Sequence, residues 1–338
     1  MKNKRERIHM KMKKMMSLTA AMMVAVMAFT GCGGSEAPAE EAASSDVYKI
    51  GIIQQMEHGS LDEATNGFMD KLTELLGEGN VEFDYQNAQG EQANCTTIST
   101  KFVSDGVDLI MANATTALQT AAAATADIPI VGTSVTDYVT AGVIESNDAP
   151  GTNVTGVSDL ASVEAQVDVL MQFCDPENTK VAIVYCSAEP NSIFQYDLAA
   201  AYLDTLGVPY AAYTVADSNE IQSIVTNAVA DCNAMFILAD NTLANNMEIV
   251  KNITVPAGVP TVAGAEAMCQ VGALSTIAIS YYDLGQKAAE MAYDILVNGA
   301  NPAEMSIEYM TDGIVPKYNP EIAEALGVTI PEGMEPIA

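Results

Sequence analysis

The residues of this chain that can do chemistry cluster at the ends of apolar runs. Thr115 and Thr116 follow the run from Val107 to Ala114 and precede an alanine-rich segment of helix length. They offer two hydroxyls beside the unpaired backbone amides of a helix start, an arrangement that draws anions. Ser134, Thr136 and Asp137 close a second run, Ile128 to Val135, by the same logic. In the later half of the chain, Glu189 and Asn191, then Asp240 and Asn241, occupy comparable turns and suit an ammonium or another polar group. Gln55 lies just past the first apolar run, and Tyr281 and Tyr282 can present ring faces to a flat solute. The same residue types also cap helices, solvate turns and fill cores, so their placement decides between these uses.

Catalysis has few groups to draw on. His58 is the only histidine after His9, and it reads as a turn or pocket-rim residue. The chain holds no Gly-x-Ser-x-Gly elbow, no His-Glu-x-x-His, no Gly-x-x-x-x-Gly-Lys loop and no Gly-x-Gly-x-x-Gly. Acids facing each other across a cleft can still cleave a glycoside, so a secreted hydrolase stays as the enzymatic alternative. No cofactor or metal site is expected: Cys95, Cys174, Cys186, Cys232 and Cys269 are odd in number and scattered, and fit buried small hydrophobes best, a single disulfide remaining open.

The elements that must position these residues repeat. Val107 to Val135 reads as strand, polar turn, helix and strand, a βαβ unit of a parallel sheet. The pattern returns in Cys232 to Thr242 and Gly258 to Gly264, with Thr115 and Pro129 answered by Thr242 and Pro260, a repeat of about 130 residues. Tyr48 to Gln54 and Lys180 to Cys186 are the matching first strands. After the first, Ser60-Leu-Asp-Glu63 has the spacing of a capping box, and Leu61, Ala64, Phe68, Leu72 and Leu75 share one helical face. Strands alternating with helices imply two α/β sandwiches, with a ligand beyond the carboxyl ends of the strands.

A chain of 338 residues, 49% hydrophobic, is long enough for two cored domains. Half of its 14 basic residues lie within the first 14 positions, so the remainder carries 7 basic against 43 acidic residues and no arginine. Such a surface repels nucleic acid. A solute carboxylate must then be held by hydroxyls and amides rather than by a guanidinium fork, while acids for an ammonium are plentiful. Residues 1–31 read as a secretory signal, a basic stretch followed by an uncharged one. It ends in Phe29-Thr-Gly-Cys32, which resembles a lipobox with Phe in place of the usual Leu, so Cys32 is the expected lipidation site and membrane anchor. Residues 32–46, rich in Ala, Glu and Ser, form a flexible tether.

Ile50-Gly-Ile-Ile-Gln54, Asp84-Tyr-Gln-Asn-Ala-Gln89, Lys101-Phe-Val-Ser-Asp105, Asp127-Ile-Pro-Ile-Val131, Gly151-Thr-Asn-Val-Thr-Gly156, Ala239-Asp-Asn-Thr242 and Tyr281-Tyr-Asp-Leu-Gly285 recur together in order. As a set they resemble the bacterial ABC-transporter substrate-binding lipoproteins that include tryptophan and tyrosine binders. The resemblance implies a two-lobed type I periplasmic-binding fold with a three-segment hinge, residues 47–158 and 280–300 forming the first lobe and 159–279 with 301–330 the second. It also implies a monomer on the outer face of the membrane that does no chemistry and passes a small solute to a permease. An aromatic or other hydrophobic amino acid is the leading expectation. A purine, nucleoside or sugar receptor is the alternative, though the absence of Trp weakens sugar stacking.

Overall fold

The computed structural model describes residues 47–175, 177–311 and 314–337. The leader, Cys32 and the tether lie outside the described residues. From residue 47 the apolar runs become strands and the amphipathic segments become helices: β1 (Tyr48–Gln54), α1 (Gly59–Leu76), β2 (Val81–Asn87), α2 (Gln92–Asp105), β3 (Leu109–Asn113), α3 (Thr115–Ala124), β4 (Ile130–Val135) and β5 (Val154–Ser158). β1, β3 and β4 are buried along nearly their whole length, as strands covered by helices on both faces must be. Leu61, Ala64, Phe68 and Leu72 form the buried stripe of α1, and Cys95, Ile98 and Phe102 that of α2.

The second lobe repeats the plan with α4 (Val163–Met171), β6 (Val181–Cys186), α5 (Pro190–Leu206), β7 (Tyr210–Val215), α6 (Ile221–Asp231), β8 (Ala234–Ile237), α7 (Asn241–Ala244), α8 (Met247–Thr254), β9 (Thr261–Ala263), α9 (Glu266–Gly272) and β10 (Ser275–Ile277). The chain then returns through α10 (Tyr281–Leu296) and β11 (Glu308–Tyr309), and ends with β12 (Pro316–Tyr318), α11 (Pro320–Leu326) and β13 (Glu335–Pro336).

The sheets run β11-β5-β4-β3-β1-β2 and β13-β12-β10-β9-β8-β6-β7. Counted within each lobe, both cores therefore follow the order 2-1-3-4-5, in which the strand order reverses between β1 and β3 and again between β6 and β8. At such a reversal the flanking helices leave on opposite faces, and a crevice opens beyond the strand ends. The sheets are parallel apart from β12, which runs antiparallel to β10, and β13, which pairs parallel with β12. Two boundaries differ from the sequence expectation. Residues 308–309, placed with the second lobe, pair with β5 and extend the first sheet. The second sheet also gains an edge strand at Glu335–Pro336, beyond the expected limit at 330. Short strands at a sheet edge carry little periodicity to reveal which sheet they join.

The chain passes between the sheets three times: after β5, between β10 and α10, and between β11 and β12. The described cysteines are all free thiols. No helix among the described residues is long and apolar enough to cross a membrane.

Candidate ligand-binding site

The carboxyl ends of β1, β3 and β4 face those of β6 and β8 across a cleft with two compartments. Its outer part is an open groove of about 960 Å3, bordered by Gln55, Thr116 and Gln119 of the first lobe and by Glu189, Asp217 and Thr242 of the second. Its inner part is a narrow chamber beside the hinge, with a cavity volume of about 20 Å3. Roughly one water fits that space, so the lobes must part before any solute enters. His58, Ser60, Ser134 and Thr136 line the chamber from the first lobe, and Asn191, Asp240, Asn241 and Met268 from the second. Asp159 and Tyr281, at the first two crossings, close its floor. Among the described residues, no lysine borders either compartment.

The lobes touch at the chamber wall. His58 Nε2 lies 3.1 Å from Asn241 Oδ1 of the opposite lobe. A methyl group added at Gly59 would meet the Ala267 side chain at 2.9 Å.

Asp159 is the buried charge of the floor. Thr136 Oγ1 donates to its Oδ1 at 3.1 Å and Tyr281 Oη to its Oδ2 at 2.9 Å, which ties the first two crossings together. Burial pushes its pKa above the ordinary carboxylate range, against the pull of those two hydroxyls. Two donors leave part of its acceptor capacity unused, and among the described residues no lysine or arginine lines the chamber beside it. Around it, Ser60 Oγ, Ser134 Oγ and His58 Nδ1 are buried without a hydrogen-bond partner. Buried polar atoms are seldom left so, and three of them border this one chamber.

Local backbone explains how they come to point there. α1 starts at Gly59 with His58 as its N-cap, and the His58 side chain makes no capping bond. The capping box expected at Ser60 is thus not used: Ser60 sits inside the first turn, buried, with its hydroxyl turned to the chamber wall. Ser134 adopts a left-handed φ of 55° within a register shift between Gly132 and Val135. Ala114, ahead of α3, has φ 88°. Left-handed non-glycine residues carry strain of order 1 kcal/mol or more and gather at functional sites.

The expected site residues other than Tyr282 lie around this cleft, in different roles. Gln55 and Thr116 sit at the outer groove, where Gln55 Oε1 accepts from the Thr116 amide at 3.3 Å and so occupies the start of α3. Thr115 and Asp137 border a smaller crevice with Asn191, and Asp137 Oδ1 accepts from the Thr140 amide at 2.6 Å. Ser134, Thr136, Asn191, Asp240, Asn241 and Tyr281 line the chamber. The two acids proposed for an ammonium are committed within their own lobe. Glu189 accepts from the Asn241 and Thr242 amides at 3.1 and 2.9 Å and from both their side chains. Asp240 accepts from Ser192 Oγ at 2.6 Å and from the Cys186 and Leu243 amides at 2.7 and 2.8 Å. Burial, followed by the charge of Glu189, raises the Asp240 pKa to about 7. These carboxylates fix the turns after β6 and β8 against each other. Tyr282 turns away, its hydroxyl donating to Asp70 at 2.9 Å. Ser60 and Asp159 were not among the expected site residues, and His58 was expected only at a turn or pocket rim.

The family model described as ABC transporter substrate binding protein matches residues 49–338. The tyrosine-binding protein of Clostridioides difficile (strain R20291) is 35% identical over 293 residues, 85% of each chain. The structure of an ABC domain in complex with L-Trp from Streptococcus pneumonia superposes with a TM-score of 0.80 at 34% identity, covering 84% of this chain and 96% of that one. The ligand-free, open structure of a substrate-binding protein with adhesive properties from Clostridium difficile gives 0.68 at 34% identity, covering 86% and 99%. At equal identity the better fit is to the liganded structure, in keeping with lobes that meet at His58 and Asn241.

Proposed function

The chain belongs to the family of ABC transporter substrate-binding proteins, and from that premise we propose that its chamber captures a zwitterionic amino acid with an aromatic or other hydrophobic side chain. The observation that carries this reading is Asp159: a buried carboxylate, unmatched by any cation among the described residues, facing a chamber where two serine hydroxyls are unpartnered. A solute ammonium supplies the missing positive charge. The solute carboxylate meets Ser60 Oγ, Ser134 Oγ and the uncapped amino end of α1, whose partial positive charge favours an anion. Thr136 and Tyr281 hold Asp159 in place, and Met268, Leu61 and Ala265 give the side chain apolar surface. Gln55, Thr115, Thr116 and Asp137 belong to the lobe rims that meet on closure, while Glu189, Asn191, Asp240 and Asn241 shape the opposing wall. The relatives named for tyrosine and for L-Trp support an aromatic solute.

The protein acts as a receptor without turnover. It works as a single copy, anchored through a lipid on Cys32 to the outer face of the membrane, and hands its solute to a permease. Closure is a shift between open and closed forms, driven only as far as the solute prefers the closed one. Calorimetry of the full chain in detergent, against the common amino acids, nucleosides and simple sugars, tests the reading. One or more aromatic amino acids bind with a dissociation constant in the micromolar range or below, and mass spectrometry recovers the solute unchanged. Binding of nucleosides or sugars with no amino acid binding overturns it. Cys32→Ala releases the chain from the membrane fraction; retention of that variant removes the lipid anchor.

A further inference from the structure

The hydrogen bonds around His58 fix which of its ring nitrogens carries the hydrogen. Asn241 Nδ2 donates to Glu189 Oε2 at 2.7 Å, and the Asn241 backbone amide reaches the same oxygen at 3.1 Å. That oxygen accepts from both the backbone and the side chain of Asn241, and turning the side chain the other way would set two acceptors against each other, so its Oδ1 must face His58. The group 3.1 Å from that carbonyl oxygen is Nε2, which is therefore the N–H of the ring. Burial disfavours the imidazolium, which leaves the opposite nitrogen as a bare lone pair. That nitrogen, Nδ1, is buried, has no partner, and belongs to a ring lining the inner chamber.

We infer that His58 Nδ1 accepts a hydrogen bond from the side chain of the captured solute, so that the site selects rings bearing an N–H or O–H over their hydrocarbon counterparts. The inference rests on the amino-acid reading given above and deepens it. A solute ammonium goes to Asp159, because a charge-assisted bond is about twice as strong as one to a neutral acceptor. His58 is then left for a neutral donor such as a phenol or an indole. A site built around a buried acceptor penalises a solute that leaves it unpaired, and it does so far more strongly than a pocket senses one methylene group. The lobe contact between His58 and Asn241 makes the test conditional on closure: the acceptor is positioned by the opposite lobe, through Glu189.

Two isosteric pairs measured by calorimetry on the full chain test this: L-tyrosine against L-phenylalanine, and L-tryptophan against 3-(3-benzothienyl)-L-alanine, whose sulfur replaces the indole N–H. In at least one pair the donor-bearing member binds tenfold or more tightly. In His58→Phe, which keeps the ring and removes the acceptor, that ratio falls to within twofold of one. Equal binding within both pairs by the unaltered protein overturns the inference and leaves the amino-acid reading standing, as does a ratio that His58→Phe does not change. Should His58→Phe not fold, Asn241→Ala, which frees the ring to turn, must lower the ratio by at least threefold; an unchanged ratio overturns the inference. Failure of the unaltered protein to bind any of the four solutes overturns both readings.

Discussion

At the scale of single residues, Asp159 offers the sharpest separation of roles. Asp159→Asn keeps an acceptor for Thr136 or Tyr281 but removes the charge, so capture of a zwitterion should weaken by about 2–5 kcal/mol, roughly 30-fold or more. A solute analogue lacking its amino group should bind the unaltered protein weakly and the variant no worse. An equal loss for both solutes would make Asp159 a brace rather than the ammonium partner, and the double-mutant logic of the pair reads this directly. Asp159 was visible in the sequence only as the first residue of the expected second lobe, since nothing in its type or spacing marks it as lining the cleft. His58 and Ser60 were hidden by the opposite problem. Each has an ordinary local use, at a turn or a capping box, and it is the contact with a residue 183 positions away that gives His58 another. Glu189 and Asp240 were legible as cleft residues because acids at strand ends stand out. Their commitment to the amides of neighbouring turns depends on how two strands lie side by side, which a linear pattern does not report.

At the scale of elements, α1 and α10 form one unit, and their crossing is closer than side chains permit. A methyl group at Gly67 would sit 2.0 Å from the Tyr282 carbonyl oxygen, and one at Gly285 would sit 2.0 Å from that of Ala64. Backbone cannot yield as a side-chain tip can, so Gly285→Ala should destabilise the protein by about 3 kcal/mol or more, at or above the usual cost of overpacking. Urea unfolding measures it, and an unchanged midpoint would show that the helices do not meet there. Solute affinity should fall as well, because α1 begins at the chamber wall and α10 begins at Tyr281, on its floor. The helices and the buried strands were readable from their periodicity, as were both βαβ repeats. The crossing was not: a glycine in a helical face looks like a weak spot until the partner backbone is seen against it. The two-residue strand β11 shows the same limit, since its sheet membership depends on the return path.

At the scale of the whole molecule, charge sets the response to pH. Beyond the leader the chain carries 43 acidic and 7 basic residues, and several acids are held where burial penalises ionisation. Asp159 and Asp240 both have folded pKa values above their unfolded ones. So does Glu63, through burial and then the charge of Glu266 on the other lobe. Between the two values the folded chain holds more protons, so stability is greatest at the acidic end and falls as pH rises. For Asp240 the window runs from 3.8 to about 7. Asp84 and Asp231 are shifted the opposite way by lysine partners, but their effect falls below that window; His58, whose pKa burial lowers, opposes the acids within it, because below 6.5 the unfolded chain binds a proton that the folded one does not. The raised carboxyls outnumber that one imidazole, so urea midpoints should be higher at pH 5 than at pH 8, and Asp240→Asn should flatten the profile. A midpoint higher at pH 8 would contradict this.

The contact between Gly59 and Ala267 has a consequence for what the protein can carry. It works as a stop on a pair of jaws: the missing side chain at position 59 sets how far they shut, and so how thin a cargo they can grip. Restoring one methyl there, Gly59→Ala, forces extra gape, since the added carbon would lie 2.9 Å from the neighbouring methyl, which has no torsion by which to retreat. Slender cargo would then be held loosely while bulkier rings lost little, so a panel of solutes of graded thickness should re-rank without any chamber residue having been touched.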